Sequence, residues 1–115
     1  MNNFHGLVIE VNDFRNARNW KQFHTIKNLL LGLNIEVAEL QEIFLWRDEK
    51  EIKSIAREEK ELIADELADI LTFLIYLGTD LNIDLVEAAM NKIQKNSKKY
   101  PVDKSYGNNR KYDKL

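Results

Sequence analysis

The chain has 115 residues, of which 44% are apolar and 31% are charged, and its formal net charge is -2. This length suits one compact domain and is short for two. The slightly acidic balance argues against non-specific binding of nucleic-acid polymers, because such proteins usually carry a marked basic excess. The sequence has no cysteine, which excludes disulfides, thiolate zinc sites and a cysteine nucleophile.

The chain also carries no pattern typical of export or of membrane insertion. Its first residues, MNNFH, lack the basic start and apolar core of a signal peptide. The longest apolar run, Ile70 to Gly78, is too short to cross a bilayer, which takes about 20 apolar residues. We therefore expect a cytoplasmic protein that has no membrane partner and binds no polymeric nucleic acid.

Hydrophobic periodicity predicts an all-α protein whose helices pack as an antiparallel four-helix bundle. The first predicted helix covers about 12–23. Thr25 is the predicted N-cap of a long second helix that ends near Arg47. Ser54 is the predicted N-cap of a third helix, which continues through Leu81.

A capping box is predicted to open the fourth helix. Asp84 is followed three residues later by Glu87, which is the spacing of that motif. The helix should end before Pro101, because proline disfavours helical geometry in the residue that precedes it. The predicted organisation is a helical domain at 12–101, an N-terminal extension at 1–11 and a C-terminal tail at 102–115.

Two acidic pairs lie inside the most apolar stretches of the chain. Glu36 and Glu39 belong to the second predicted helix, and Glu66 and Asp69 belong to the third. On a helical wheel the second pair falls within an apolar stripe, and Glu36 falls at the edge of another. A buried carboxylate needs a proton, hydrogen bonds or a cation. Ordinary solvated helix residues are the competing interpretation, and the wheel alone does not favour either.

The pairs offer a consistent set of ligands to a metal. Residues three apart on a helix are neighbours, so each pair can present two carboxylates to one ion. Ligation by oxygen alone selects a hard cation, with Mg²⁺ as the default and Mn²⁺ as a substitute. Mg²⁺ commonly keeps positions for water and phosphate oxygens, which indicates nucleotide chemistry.

Other motifs accompany the acidic pairs. Residues 18–25 read RNWKQFHT, residues 36–46 read EVAELQEIFLW and residues 92–101 read KIQKNSKKYP. Together with the acidic pairs, these motifs resemble the MazG-like family of all-α nucleoside triphosphate pyrophosphohydrolases. Within that family they are most similar to the branch that includes the eukaryotic dCTP pyrophosphatases. The resemblance extends over about 12–113.

This resemblance implies a reaction and a cofactor. The reaction is hydrolysis of a nucleoside triphosphate between the α- and β-phosphates, with dCTP or a related or modified dNTP as substrate and nucleotide-pool cleansing as the role. Mg²⁺ would be held by Glu36, Glu39, Glu66 and Asp69. Of the two catalytic candidates, Glu36 and Glu39, the latter is preferred as general base because it lies nearer the rim on the wheel.

Aromatic residues are the candidates for recognition of the base. Trp20, His24 and Trp46 can stack on a base or read its edge, although each residue type taken alone is more often structural. Phe73 is a further candidate, and it occupies a position where the related dCTP pyrophosphatases carry a tyrosine. The preference for a pyrimidine is therefore a weaker expectation than the reaction.

Polar residues of the fourth helix are the candidates for phosphate contacts. Lys92 and Asn96 lie one helical turn apart on the face predicted to point inward. An inward lysine needs a partner, and the alternatives are a phosphate or an ion pair with the acidic residues. Tyr100, in the same resembling motif, completes the predicted substrate-binding residues.

Three other interpretations remain. A ferritin-like di-iron bundle needs Glu-x-x-His pairs, and the histidines, His5 and His24, are far in sequence from either acidic pair. A non-catalytic helical interaction module would use the acids for docking only. The same fold could act on phosphoribosyl-ATP, as in related histidine-pathway enzymes, although the segment 20–24 favours the nucleotide-cleansing branch.

The third helix is apolar around much of its circumference. Four side chains away from the acidic stripe contribute to this character: Leu67, Leu71, Leu74 and Ile75. A chain of this size cannot cover all of them, so another subunit is expected to cover the rest. The resemblance implies a homotetramer built as a dimer of dimers, in which the C-terminal tail reaches a neighbouring pocket.

Overall fold

The structure is a computed structural model that describes residues 3–115. In these residues it contains helices joined by short turns, which confirms the all-α prediction. The α-helices are α1 Phe4–Ala17, α2 Ile26–Phe44, α3 Glu49–Glu58, α4 Lys60–Asp80, α5 Leu85–Lys99 and α6 Val102–Ser105, with 3₁₀ turns at Lys21–Phe23 and Tyr112–Lys114. None of these helices is long and apolar enough to cross a membrane.

The chain divides into an N-terminal unit that ends at Asn82 and a C-terminal unit that begins at Ile83. In the N-terminal unit, α2 and α4 form the principal helix pair, and α1 and α3 also pack against α4. The buried apolar core of this unit consists of Leu29, Ile75, Tyr76 and Leu77. Burying one leucine side chain stabilises the fold by roughly 1.5–3 kcal/mol. The side chains packed around this core are Val11, Leu33 and Phe73.

Two predicted helix caps are confirmed. The Thr25 hydroxyl accepts a hydrogen bond from the backbone N–H of Asn28 at 3.1 Å, and it opens α2. The Asp84 carboxylate accepts from the backbone N–H of Glu87 at 3.0 Å, and it opens α5. Each cap satisfies a donor that has no partner within its helix. These local signals therefore set the first residues of α2 and α5 correctly.

The first helix differs from its prediction at both ends. It begins at Phe4, because the Asn3 side chain accepts a hydrogen bond from the backbone N–H of Gly6 and caps the helix there. It ends at Ala17, shortly before Asn19 adopts a φ of 54°. The boundaries predicted near 12 and 23 are therefore wrong, and Lys21–Phe23 forms a separate 3₁₀ turn.

The predicted third helix is two helices. Ser54 lies inside α3, and the N-cap of α3 is Asp48, whose carboxylate accepts from the backbone N–H of Glu51 at 2.9 Å. The backbone then leaves helical geometry at Glu59, which has φ −105° and ψ 26°, before α4 begins. The prediction of one helix starting at Ser54 is therefore wrong.

Helices α2 and α4 approach closely at Gly32. A Cβ atom built on this glycine would lie 2.5 Å from Cε1 and 2.7 Å from Cζ of Phe73. Those distances are shorter than any ordinary carbon contact, so a side chain at this position would displace the aromatic ring. Glycine therefore sets the separation of the two helices that carry the acidic pairs.

The predicted apolar surface of α4 is only partly exposed. Leu67 and Leu74 are exposed, whereas Leu71 is half-buried and Ile75 is buried in the core. The chain therefore covers Ile75 itself and leaves Leu67 and Leu74 exposed, and the expected cover of these two by another subunit stays a prediction. Helix α2 adds an apolar surface of its own, with three side chains that are more than half exposed: Leu30, Leu31 and Ile35.

Candidate functional site

Three of the predicted metal ligands converge between α2 and α4. Glu36, Glu39 and Glu66 each place one carboxylate oxygen so that these oxygens all lie within 4.8 Å of one another. We call these residues the acidic cluster. Glu36 and Glu66 are half-buried, and Glu39 is exposed. Because the cluster stands on the best-packed helix pair of the unit, its carboxylates are held by rigid backbone.

The fourth predicted ligand lies beside this cluster rather than within it. Asp69 follows Glu66 by one helical turn on α4 and is exposed. Its carboxylate is not among the oxygens that converge. The negative charge of Asp69 nevertheless contributes to the raised pKa of Glu36. The convergence of all four predicted ligands on one ion therefore stays a prediction.

Electrostatics within the cluster are unfavourable in the protein alone. The pKa of Glu36 is raised to about 7, first by burial and then by the neighbouring carboxyl groups of Glu66, Glu39 and Asp69. The Oε2 atoms of Glu36 and Glu66 are buried and have no hydrogen-bond partner among the residues of the structure. An unsatisfied buried polar atom costs about 1–3 kcal/mol, and more when it is charged.

These features fit a bound divalent cation. The converging donors are carboxylate oxygens, which are the ligands that Mg²⁺, Ca²⁺ and Mn²⁺ prefer. A cation would satisfy the buried oxygens of Glu36 and Glu66 and would compensate the repulsion among the carboxylates. Glu36, Glu39 and Glu66 are the residues placed to hold it, with Asp69 one turn away.

A groove of about 610 Å³ opens next to the acidic residues. It runs between α1 and α4, and we call it the α1–α4 groove. Its volume falls in the range of small-molecule sites, which is roughly 300–1,000 Å³. Aspartate and aromatic side chains share its lining, which consists of Glu10, Val11, Asp13, Phe14, Asp69, Thr72 and Tyr76. Asp69 belongs to this lining, so the groove adjoins the acidic pair of α4.

Two predicted base-binding residues contact the walls of this groove. Trp20 is 42% exposed and packs edge-on against Phe14, with ring centroids 5.6 Å apart. His24 is half-buried, and its ring centroid lies 5.0 Å from that of Tyr76. Burial lowers the pKa of His24, and the nearby Arg15 guanidinium lowers it further. The structure therefore brings the turn that carries both candidates to the α1–α4 groove.

The other two aromatic candidates have different surroundings. Trp46 is 91% exposed and adopts a φ of 65° just after α2, a conformation that costs free energy for a bulky side chain. Phe73 is half-buried, packs against the core and contacts Tyr76 edge-on at 6.1 Å. Phe73 would thus influence binding indirectly, through its contact with the Tyr76 ring.

The remaining substrate-binding candidates belong to the C-terminal unit. Lys92 and Asn96 are exposed on α5. Ile93, on the face predicted to point inward, is also more than half exposed. The C-terminal unit by itself therefore does not bury Lys92, and contact of Lys92 with a phosphate stays a prediction. Tyr100 is half-buried and packs edge-on against Tyr112 at 6.0 Å.

Sequence reasoning missed one buried ion pair. Arg15 is 1% exposed, and its guanidinium donates hydrogen bonds of 2.9 and 2.8 Å to the Asp80 carboxylate. A signal was present, because Arg15 falls four residues after Val11 and seven after Val8, on the face of α1 that is turned away from water. A charged residue on that face requires a partner, but its spacing could not identify Asp80.

Comparisons with known proteins agree with this arrangement. A family model described as the MazG-like family matches 31–115. The dCTP pyrophosphatase 1 of Rattus norvegicus is 40% identical over 105 residues, and that of Homo sapiens is 35% identical over the same length. These alignments cover 90% of this chain, which spans about 62% of the length of those relatives.

A solved structure is also similar. The crystal structure of a pyrophosphatase from Archaeoglobus fulgidus DSM 4304 superposes with a TM-score of 0.82 and 37% sequence identity. The match covers 88% of this chain and 94% of that one.

Proposed function

Because the chain belongs to the MazG-like family, as its sequence motifs predicted, we propose that it is a nucleoside triphosphate pyrophosphohydrolase. It would cleave a dNTP to the monophosphate and pyrophosphate. The names of the mammalian and archaeal relatives, dCTP pyrophosphatase 1 and pyrophosphatase, support this reaction and favour dCTP or a modified relative as substrate. The convergence of Glu36, Glu39 and Glu66, with buried unsatisfied oxygens, is the structural observation that carries it.

Mg²⁺ is the proposed cofactor, with Mn²⁺ as a substitute. Glu36, Glu39 and Glu66 would hold it, and Asp69 would join them after a side-chain rotation. When bound, such a cation neutralises phosphate charge and lowers the pKa of water. The two buried Oε2 atoms support this assignment, because a hard cation supplies the partner that the protein does not.

Glu39 is the proposed general base. It is the exposed member of the acidic cluster, so its carboxylate can accept a proton from a water molecule in the adjoining solvent. That water oxygen would attack the α-phosphorus, the bond to the bridging oxygen would break, and pyrophosphate would leave. Glu36 and Glu66, which are half-buried, are suited to holding a fixed position rather than to exchanging protons with solvent.

The α1–α4 groove is the proposed nucleoside site. It joins Asp69 to a wall of Phe14 and Tyr76, so a nucleotide with its phosphates at the acidic cluster could place its base there. Aromatic faces at such sites contribute about 1–3 kcal/mol per stacked base. The other side chains proposed to contact the nucleotide are Trp20, His24, Trp46, Phe73, Lys92, Asn96 and Tyr100.

An oligomer is proposed as the working form. Leu30, Leu31 and Ile35 on α2 and Leu67 on α4 are more than half exposed, and such surfaces commonly mark interfaces. We propose a homotetramer, a dimer of dimers, in which these faces complete antiparallel four-helix packing between chains. Sedimentation equilibrium at several protein concentrations tests this assembly, and a monomer at all concentrations would contradict it.

The test of function is a screen of nucleoside triphosphates for pyrophosphate release in the presence of Mg²⁺. The variants Glu39→Gln and Glu66→Gln should lose turnover by a factor of about 10²–10⁴, because each removes a base or a ligand. Glu42→Gln is the matched control, since Glu42 is an exposed acid on the same helix and lies outside the cluster. Full activity in Glu39→Gln or Glu66→Gln would remove that residue from the site.

The alternative functions predict different results in the same screen. A non-catalytic interaction module would release no pyrophosphate from any triphosphate, and Mg²⁺ would not raise its melting temperature. Release from phosphoribosyl-ATP, with none from dNTPs, would keep the fold and the cluster but change the substrate. Pyrophosphate release from dCTP or a modified dNTP in preference to phosphoribosyl-ATP supports the proposed function.

A further inference from the structure

The buried ion pair of Arg15 and Asp80 lies in the N-terminal unit and has no part in the proposed reaction. The guanidinium meets both carboxylate oxygens, at 2.9 and 2.8 Å, and also donates to Asn12 Oδ1 at 3.1 Å. The side chain of Arg15 is 1% exposed and that of Asp80 is 10% exposed. The pair is therefore held in one geometry by several hydrogen bonds.

The Asp80 carboxylate connects three elements of the chain. It belongs to the last residue of α4 and accepts hydrogen bonds from Arg15 of α1. It also lies 4.0 Å from Nζ of Lys21 in the 3₁₀ turn. The backbone supports the same arrangement, because the N–H of Trp20 donates to the carbonyl of Arg15 at 3.2 Å. The turn that carries Trp20 thus contacts α1 through a backbone hydrogen bond and α4 through the ion pair of Lys21 with Asp80.

Arg15 also supports the aromatic wall of the α1–α4 groove. Its guanidinium carbon lies 4.7 Å from the ring centroid of Tyr76, and its Nε atom has no hydrogen-bond partner among the residues of the structure. Nη1 of Arg15 lies 3.4 Å from Nδ1 of His24, whose ring packs on Tyr76. Both contacts brace Tyr76, which lines the groove.

Stability alone is a poor explanation for such a pair. Removing two charges from water costs several kcal/mol per ion, and well-packed apolar residues of similar volume often stabilise a fold equally well. What an ion pair with fixed geometry adds is a defined orientation for the groups around it. Here those groups are Tyr76 and the turn with Trp20 and His24.

We propose that the Arg15–Asp80 pair is the positioning element of the nucleoside groove, and that it sets nucleotide affinity without touching the reacting atoms. This proposal rests on the proposed function, because it takes the α1–α4 groove as the place where the nucleoside binds. By fixing Tyr76 and the Trp20 turn before binding, the pair removes an ordering cost that the nucleotide would otherwise have to meet.

Steady-state pyrophosphate release provides the first test. Asp80→Asn removes the charge, and Arg15→Lys keeps it but loses the planar two-point contact. Each should raise KM for dCTP about tenfold and leave kcat within about twofold, since binding is lost rather than transition-state stabilisation. A fall in kcat with KM unchanged, or no change in either, overturns the proposal.

A matched control comes from another arginine–carboxylate pair of the chain. Arg47 donates to Glu51 at 3.2 Å, but these side chains are 51% and 45% exposed and lie one turn apart at the surface. Glu51→Gln should leave KM and kcat unchanged. A rise in KM equal to that of Asp80→Asn would show a general charge effect and would overturn the positioning role.

Variants of the buried pair could fail to fold, so an exposed partner is tested as well. Lys21 is 62% exposed, and its removal leaves the buried pair in place. Lys21→Ala should raise KM in the same direction, by about twofold, because it loosens the turn at the same carboxylate. Far-UV circular dichroism shows which variants are folded, and an unchanged KM in every folded variant counts against the proposal.

Two readouts do not depend on hydrolysis. In a Trp46→Phe background Trp20 is the remaining tryptophan, so its emission reports the turn alone. Asp80→Asn or Arg15→Lys should shift that emission in the Trp46→Phe background. With Trp46 intact, each should weaken binding of an α,β-imido dCTP analogue measured by calorimetry, and unchanged results overturn the proposal. If the wild type releases no pyrophosphate, the proposed function fails, while emission and analogue binding still decide the positioning role.

Discussion

The N-terminal unit contains two polar clusters that are built on opposite principles. The Arg15–Asp80 pair brings opposite charges together and satisfies both carboxylate oxygens within the chain. The acidic cluster brings like charges together and leaves buried oxygens of Glu36 and Glu66 without partners. The charges of the first cluster are therefore compensated within the folded protein, whereas those of the second repel one another. This difference is the basis for proposing a catalytic role for the acidic cluster and a positioning role for the Arg15–Asp80 pair.

The largest effect is expected from a substitution in the acidic cluster. Glu36→Gln should reduce turnover by a factor of about 10³, because Glu36 is a half-buried ligand candidate with several carboxylate neighbours. The same variant should melt at a higher temperature than the wild type in EDTA, since it removes one repelling charge. Pyrophosphate release and differential scanning fluorimetry measure the two effects, and a lower melting temperature in EDTA would contradict this account.

The next largest effect is expected from a substitution that removes one partner of the Arg15–Asp80 pair. Asp80→Leu leaves the Arg15 charge buried and unpaired, which should cost about 3–5 kcal/mol in urea unfolding. The double variant Arg15→Met with Asp80→Leu should recover most of that loss, because packed apolar residues replace an ion pair well. A double variant no more stable than the single one would show that the pair itself is required for folding.

A third change tests the helix separation on which the acidic cluster depends. Gly32→Ala places a Cβ 2.5 Å from the Phe73 ring and should destabilise the protein by about 1–3 kcal/mol. Phe73→Leu, which shortens the facing side chain, should restore part of the loss in the double variant. Additive losses measured by urea unfolding would mean that the two positions do not compete for this space.

The smallest effect is a difference in pH dependence between the clusters. The hydrogen bonds from Arg15 lower the pKa of Asp80 from its ordinary value of 3.8, so its contribution to stability is present above that pH and is lost as pH falls through the lowered pKa. The pKa of Glu36 is raised from 4.5 to about 7, so the metal-free protein should lose stability as pH rises between those values.

Melting temperatures in EDTA across pH 3 to 8 measure both slopes. Asp80→Asn should be less stable than the wild type at neutral pH, and the difference should narrow in acid, where the wild-type carboxylate is also neutral. Glu36→Gln should reduce the fall in melting temperature that is expected for the wild type between pH 4.5 and about 7. A wild-type profile that rises through this interval would mean that the cluster is not strained without metal.

Much of the site could be predicted because its information is local. The spacing of Glu36 and Glu39, and of Glu66 and Asp69, places each pair on one side of a helix whatever the fold. Caps are local as well, which is why Thr25 and Asp84 were identified correctly. Asp69 did not converge with the others, because a helical wheel gives direction around one axis and not the reach of a side chain across to a neighbour.

The sequence by itself determined that this chain is helical, that its acids are grouped in pairs, and that its motifs are those of the MazG-like family. Only the tertiary structure decided that Arg15 meets Asp80, a contact between residues 65 positions apart. It also decided that α2 and α4 approach closely enough for their carboxylates to meet. Periodicity describes each helix separately, whereas partners across helices depend on how the apolar faces pack.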